Sequence, residues 1–196
     1  GTKTGNVYGS IAHPVDMGSG GSPNSHGGGA INLTVAGALS LSGRISANGA
    51  GANAATIGSG SSSGGSVQLV VGTLLGAGII SANGGSASNL VSGGGGGGRI
   101  AIYFGTNLFT GGITAYGGTG TNEGGPGSIY LKSNRDPIPQ IIFDNGGIAG
   151  STYLATRLDI SDLSISGGTV LTNLAAGATT LRTLFVGSNS FFQNAT

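Results

Sequence analysis

Apolar residues alternate with polar or small ones in short runs that return along the chain. Ile31, Leu33 and Val35 are followed by Leu39 and Leu41, Val67, Leu69 and Val71 by Leu74, and Ile100, Ile102 and Phe104 by Leu108. Alternation of period two predicts half-buried β-strands, because successive side chains point to opposite faces of a sheet. After each run a glycine precedes a short apolar phrase: Gly43-Arg44-Ile45-Ser46-Ala47-Asn48-Gly49, Gly78-Ile79-Ile80-Ser81-Ala82-Asn83-Gly84, and Gly112-Ile113-Thr114-Ala115-Tyr116-Gly117. The central isoleucines, Ile45, Ile80 and Ile113, stand 35 and 33 residues apart. Helix is excluded over this stretch: no window shows i, i+3, i+4 spacing, and each interior glycine would cost up to about 1 kcal/mol.

A second phrase recurs with the first. A glycine pair opens the strand at Gly28-Gly29-Ala30-Ile31, Gly64-Gly65-Ser66-Val67 and Gly97-Gly98-Arg99-Ile100, with a worn fourth copy at Gly127-Ser128-Ile129. Self-similarity at a fixed period predicts stacked repeats, none of which buries its apolar face alone. The expectation is an all-β chain, a parallel β-solenoid (β-helix) with glycine-rich loops or packed glycine tracts. Stacking would align Ile45, Ile80 and Ile113 in one interior ladder and Ile31, Val67, Ile100 and Ile129 in another. Gly37, Gly72 and Gly105 would mark a bend within each copy.

Four stretches follow from this reading. Residues 1–29 are a Gly/Ser-rich lead-in, in which Val7, Tyr8 and Ile11 could form a short strand. Residues 30–133 hold glycine-rich repeats of 33–36 residues. Residues 134–150 are an irregular corner or boundary, because Asp136-Pro137-Ile138-Pro139 is incompatible with a central strand. Residues 151–196 take a tighter rhythm, with Asp162-Leu163-Ser164-Ile165 echoed 21 residues later by Thr183-Leu184-Phe185-Val186. Between the copies lie tracts such as the six glycines 93–98. These are either flexible loops or backbone packed on backbone, and their recurrence at one phase of the repeat favours ordered packing.

Composition sharpens the picture. Of 196 residues, 44 are glycine, only 7% are charged, and the net charge is +1. Disordered segments are hydrophilic and charged, whereas this chain is 37% hydrophobic. The near-zero charge gives no electrostatic case for nucleic acid or an anionic membrane surface, and no apolar run is long enough for a membrane-spanning helix. Cysteine is absent, which excludes disulfides and Cys-ligated zinc. The chain opens on Gly1 and stops at Asn194-Ala195-Thr196, so it reads as a mature or excised piece of something longer.

The strings Val7-Tyr8-Gly9-Ser10 and Pro14-Val15-Asp16-Met17-Gly18-Ser19-Gly20-Gly21, the Ile-Ser-Ala-Asn-Gly phrase, and Gly93 to Gly98 followed by Arg99-Ile100-Ala101-Ile102-Tyr103 form a distinctive set. The set resembles the glycine-rich β-strand repeats of very large secreted bacterial surface proteins, over roughly residues 7–133. The resemblance implies an extracellular or cell-surface location and a fibrous or adhesive role, and it carries no catalytic residues to transfer.

The chemistry on offer is sparse. The acids are Asp16, Glu123, Asp136, Asp144, Asp159 and Asp162. Asp159 and Asp162 are close in sequence, yet an offset of three on a strand puts them on opposite faces, which argues against a glycosidase pair. His13 and His26 lie near Asp16 without metal-ligand spacing. Asp144-Asn145-Gly146-Gly147 reads as an ordinary turn more than as a calcium loop. No Gly-Lys-Ser/Thr opens a helix after a glycine run, and no Gly-x-Ser-x-Gly stands at a strand-to-helix elbow. Tyr103 and Tyr130 fall in neighbouring copies and could ladder on one face, stacking on sugar rings or on each other.

The sequence therefore predicts a non-enzymatic structural element of a rod, fibre or surface layer, without cofactor or metal, that associates with copies of itself end to end or laterally. The alternative is an adhesin or carbohydrate-binding module holding polysaccharide. A polysaccharide lyase or hydrolase, or a phage-type tail adhesin, stands behind these.

Overall fold

A computed structural model describes residues 9–22, 25–52, 60–88, 92–155 and 157–194. The short strand expected around Val7 and Tyr8 lies outside them. Thirteen strands and no helix are found among the described residues. They are β1 (Ala30–Ser40), β2 (Arg44–Ser46), β3 (Ser66–Gly76), β4 (Ile79–Ser81), β5 (Arg99–Phe109), β6 (Gly112–Thr114), β7 (Ser128–Ser133), β8 (Gln140–Asp144), β9 (Gly150–Leu154), β10 (Asp162–Ser166), β11 (Thr169–Asn173), β12 (Thr183–Val186) and β13 (Phe191–Asn194).

The strands form one seven-stranded sheet, in the order β1-β3-β5-β7-β8-β10-β12, and two three-stranded sheets, β2-β4-β6 and β9-β11-β13. In the first half the repeats pair in parallel. Ile31, Val67, Ile100 and Ile129 are successive register partners, as are Ile45, Ile80 and Ile113 in the short sheet. Val67, Ile80 and Ile100 are fully buried, and Ile129 is nearly so. Ile31, Ile45 and Ile113 are half-buried against the same core. In the second half the 21-residue rhythm also appears as parallel register, Asp162 opposite Thr183 and Val170 opposite Phe191.

The joint between the halves corrects the expected fold. Strand β7 pairs with β8 antiparallel, Ile129 opposite Ile142, Tyr130 opposite Ile141 and Leu131 opposite Gln140. The long sheet is therefore mixed, and the chain is not the all-parallel solenoid that the repeat predicts. The reason is the connection. Only residues 134–139 separate β7 from β8, and a parallel return needs a crossover of about a dozen residues or more. The turn is pinned locally: Ile138 N donates to Asp136 Oδ1 at 2.9 Å, Arg135 N to Ser133 Oγ at 3.1 Å, and Lys132 Nζ to the carbonyl of Pro137. The second half thus starts at Gln140, inside the stretch expected as a corner.

The reversal also moves the core to the other side of the sheet. Directly opposite residues share a face, so Ile142 joins Ile129 against the first core, whereas Ile141 and Phe143 enter a second one with Leu154, Leu163, Ile165 and Leu171. Past β7, the face that was core in the first half keeps Ile142 but is otherwise largely polar, with Gln140, Asp162, Ser164 and Thr183.

Among the described residues, the glycine tracts are ordered. Gly64 N donates to Gly96 O and Gly97 N to Gly125 O, while Gly95 N donates to Gly85 O and Gly118 N to Gly95 O. All four bonds are 2.8–2.9 Å long. These segments lie outside the strands, yet they bond laterally to neighbouring copies. Within the run 93–98, a Cβ on Gly94, Gly95, Gly97 or Gly98 would lie 1.9–2.1 Å from a backbone oxygen. At Gly93 and Gly96 the nearest atom is 3.8 and 3.9 Å away. The open positions recur every third residue, which is the period of an extended polyproline-II-type chain.

The bends expected at Gly37, Gly72 and Gly105 are not strand ends, since β1, β3 and β5 run through them. Val35 pairs with Val71 and Ala38 with Thr73, so β1 carries one extra residue, a β-bulge. The same register places Asn107, not Leu108, opposite Leu74, and Leu108 is 64% exposed.

Candidate functional site

A concave feature lies at the β7–β8 joint, on the face the first core vacates. It is a groove of about 330 Å³ lined by Phe104, Asn107, Leu131, Ser133, Asp136, Ile138, Gln140, Asp162 and Arg182. Its floor follows one row of the long sheet, in which Leu131, Gln140, Asp162 and Thr183 are successive register partners. Phe104 stands opposite Ser133 in the neighbouring row.

Arg182 organises one wall. Its Nε donates to Asp162 Oδ1 at 2.9 Å and its second terminal nitrogen to Asp162 Oδ2, a two-pronged pairing that fixes geometry as well as charge. The remaining nitrogen donates to Asp136 Oδ2 at 3.0 Å, and Thr183 Oγ1 donates to Asp162 Oδ1 at 2.7 Å. The Arg182 and Thr183 hydrogen bonds hold the Asp162 carboxyl down at about 2. The Ile138 amide, then Arg182, lowers Asp136, and Arg182 itself is raised by both carboxylates. Neither acid is suited to donate a proton near neutral pH, so the arrangement is not a general acid–base pair.

The cluster should be visible in a titration. The Asp162 pKa of about 2 lies below the ordinary value of about 3.9. Its contribution to stability is therefore present above about pH 4 and is lost as pH falls through about 2. Replacing Arg182 by glutamine is expected to return Asp162 towards the ordinary carboxylate range, read from the side-chain carboxyl carbon by NMR. An Asp162 that still titrates near its native value in that variant would assign the shift to Thr183.

The other candidates sit elsewhere. The acid that accompanies Asp162 is Asp136, with which it shares Arg182, and not Asp159. Among the described residues, no three His, Cys, Asp or Glu side chains come together as a metal could require. His13 stacks on Tyr103 with ring centroids 5.6 Å apart and planes 12° apart, and the His26 carbonyl accepts from Ala50 N. The Asp16 carbonyl accepts from Ser66 Oγ at 2.6 Å.

Tyr103 and Tyr130 lie on one face as diagonal neighbours, Tyr103 being opposite Lys132 and Tyr130 opposite Ala101. Their centroids are 5.6 Å apart at 45°. Tyr103 donates to Ala12 O at 2.9 Å, and its hydroxyl is pushed up to about 12 by burial and by Tyr130. One ring face is covered by His13, and Tyr130 packs with Ile11 on the second core. These aromatics hold the lead-in against the sheet.

In the Asp144–Gly147 turn, Gly146 and Gly147 have φ of 63° and 94°, which glycine adopts without strain. Gly146 N donates to Asp144 Oδ1. Fully buried Asn145 is a bolt between the halves. Its Oδ1 accepts from Gly117 N at 2.7 Å, and its Nδ2 donates to Gly124 O at 3.0 Å and Ile148 O at 2.8 Å.

Sequence reasoning missed Asn107, Gln140, Arg182 and the role of Asn145. Only Asn107 left a signal: aligning the copies residue by residue from the glycine of each strand sets it under a leucine. No protein-family model, curated protein or solved structure matches the chain.

Proposed function

We propose that this chain is a structural, extracellular element of a rod, fibre or surface layer that associates with copies of itself. The glycine layer carries this reading. Backbone packed on backbone, with no room for side chains at two of every three positions in the run 93–98, supports a stiff body of low charge whose conformation other segments over-determine. Such packing serves a spacer or scaffold, because it offers few side chains for chemistry. The resemblance of the repeats to those of large secreted bacterial surface proteins supports the location.

The outer edge of the second half supports self-association. Strand β12 pairs only with β10 among the described residues, and Leu184, Phe185 and Val186 are exposed, as is Phe191 on β13. An exposed apolar edge strand is a template for a further strand, and a charge on the edge blocks it. Sedimentation velocity across a concentration series is expected to show reversible association. The double variant Leu184→Lys, Phe185→Lys is expected to weaken that association by at least about tenfold, or about 1.4 kcal/mol. A chain that stays monomeric at every concentration would refute this reading.

A further inference from the structure

We infer that the groove at the β7–β8 joint is a binding site for a neutral saccharide. This goes beyond the structural role, and its test does not depend on self-association.

The repeat departs from its own pattern where it reaches the groove. Leu39 and Leu74 are register partners, and the next position in that row is Asn107. The row Leu69, Ile102, Leu131 continues as Gln140, Asp162 and Thr183. The groove thus joins an apolar strip, Phe104, Leu131 and Ile138, to a strip of planar amide, carboxylate and guanidinium groups. A sugar ring has the same two characters, a C–H face that packs on apolar or aromatic surface and a rim of hydroxyls that bond to planar polar groups.

The groove is built before any ligand arrives. Arg182, Asp136, Asp162 and Thr183 satisfy one another, which removes side-chain ordering from the cost of binding. The amides are left for the ligand. Asn107 Oδ1 accepts from Phe109 N at 3.0 Å, which orients the side chain, and its NH₂ group has no hydrogen bond of its own among the described residues. The Gln140 side chain is exposed on the floor, with no hydrogen bond of its own among the described residues. Charge selects against acidic ligands: two carboxylates and one guanidinium leave a net negative groove, and among the described residues Arg182 is the only cation lining it. At about 330 Å³ it falls at the small end of ligand sites, roughly 300–1,000 Å³, which suits the end of an oligosaccharide.

The test titrates the chain with neutral gluco-, galacto- and mannotrisaccharides and with trigalacturonate, followed by NMR and calorimetry. Saturable binding of a neutral trisaccharide is expected, with shifts centred on Asn107 and Gln140. The double variant Asn107→Ala, Gln140→Ala is expected to lose about tenfold or more in affinity, because each removes a hydrogen bond made in a partly desolvated site. Its melting temperature should match the parent, since neither side chain is buried, and Asn32→Ala on the first strand should bind as the parent does. The inference is overturned if no neutral trisaccharide binds at about 10 mM, if trigalacturonate alone binds, or if affinity survives the double variant.

Discussion

Replacing Gly95 by alanine is expected to destabilise the whole chain, whereas Gly96→Ala, one residue along, is expected to leave it standing. A Cβ on Gly95 would lie 1.9 Å from the carbonyl oxygen of Ser62 and 2.6 Å from its carbon. Both obstacles are backbone, so no rotamer change relieves them. Gly95 is also a hub of the layer: its N–H donates to Gly85 O, and its carbonyl accepts from Gly118 N. Moving it aside strains both bonds at once. Overpacking of a close-packed interior typically costs about 1–3 kcal/mol, and rigid obstacles on a bonded backbone place this site at about 3 kcal/mol or more. For a chain of this length that is a fall in melting temperature on the order of 10 °C. At Gly96 the nearest atom is 3.9 Å away and φ is not positive. Alanine there should change stability by less than about 1 kcal/mol, with a gain possible through the lower entropy of the unfolded chain. Thermal and urea unfolding of the two variants decide the matter. Equal behaviour would mean that the tract is not held as described.

The second large effect is expected at Ile80. It is fully buried in the apolar core, between its register partners Ile45 and Ile113. Ile80→Asp must bury an uncompensated acid or protonate it, at a cost of several kcal/mol. Against a total stability of about 5–15 kcal/mol, loss of the native β signal at room temperature is expected. The neighbouring Ile79 is 38% exposed, and on a strand its side chain points to the opposite face. Ile79→Asp should therefore retain the fold, and Ile80→Val should lose only about 0.5–1.5 kcal/mol. Circular dichroism and denaturant melts of the three variants test the register directly. A folded, stable Ile80→Asp would show that the pairing of the short sheet is wrong.

Part of the candidate site was within reach of the sequence and part was not. Asn107 replaces a leucine of the earlier copies, a break in pattern that a strict residue-by-residue alignment exposes. The bulge in β1 hid it, because an extra residue at Ala36-Gly37 shifts the apparent phase of the apolar residues beyond it. Arg182 could not be assigned by reading along the chain. Its partners Asp162 and Asp136 lie 20 and 46 residues away, and only the stacking of β8, β10 and β12 brings them together. Asn145 looked like one half of an Asn-Gly turn, and it is that. Its three bonds reach across to Gly117, Gly124 and Ile148, two of them in another part of the chain.

What the chain alone determined was its β character and the places where the strands of the repeated phrases stand. Both follow from local physics: period-two alternation needs one buried face, and glycine at this density forbids helix. The sheet direction past Ser133 was also encoded locally, in a connection too short for a parallel crossover, although the proline pair drew attention to itself rather than to that length. Tertiary structure decided the rest. It chose which side of the long sheet is core, because β8 must present alternate residues to two different cores. It also decided that the described parts of the glycine tracts are ordered, because the backbone atoms that crowd Gly95 most belong to Ser62 in the preceding copy, and no local sequence rule contains them.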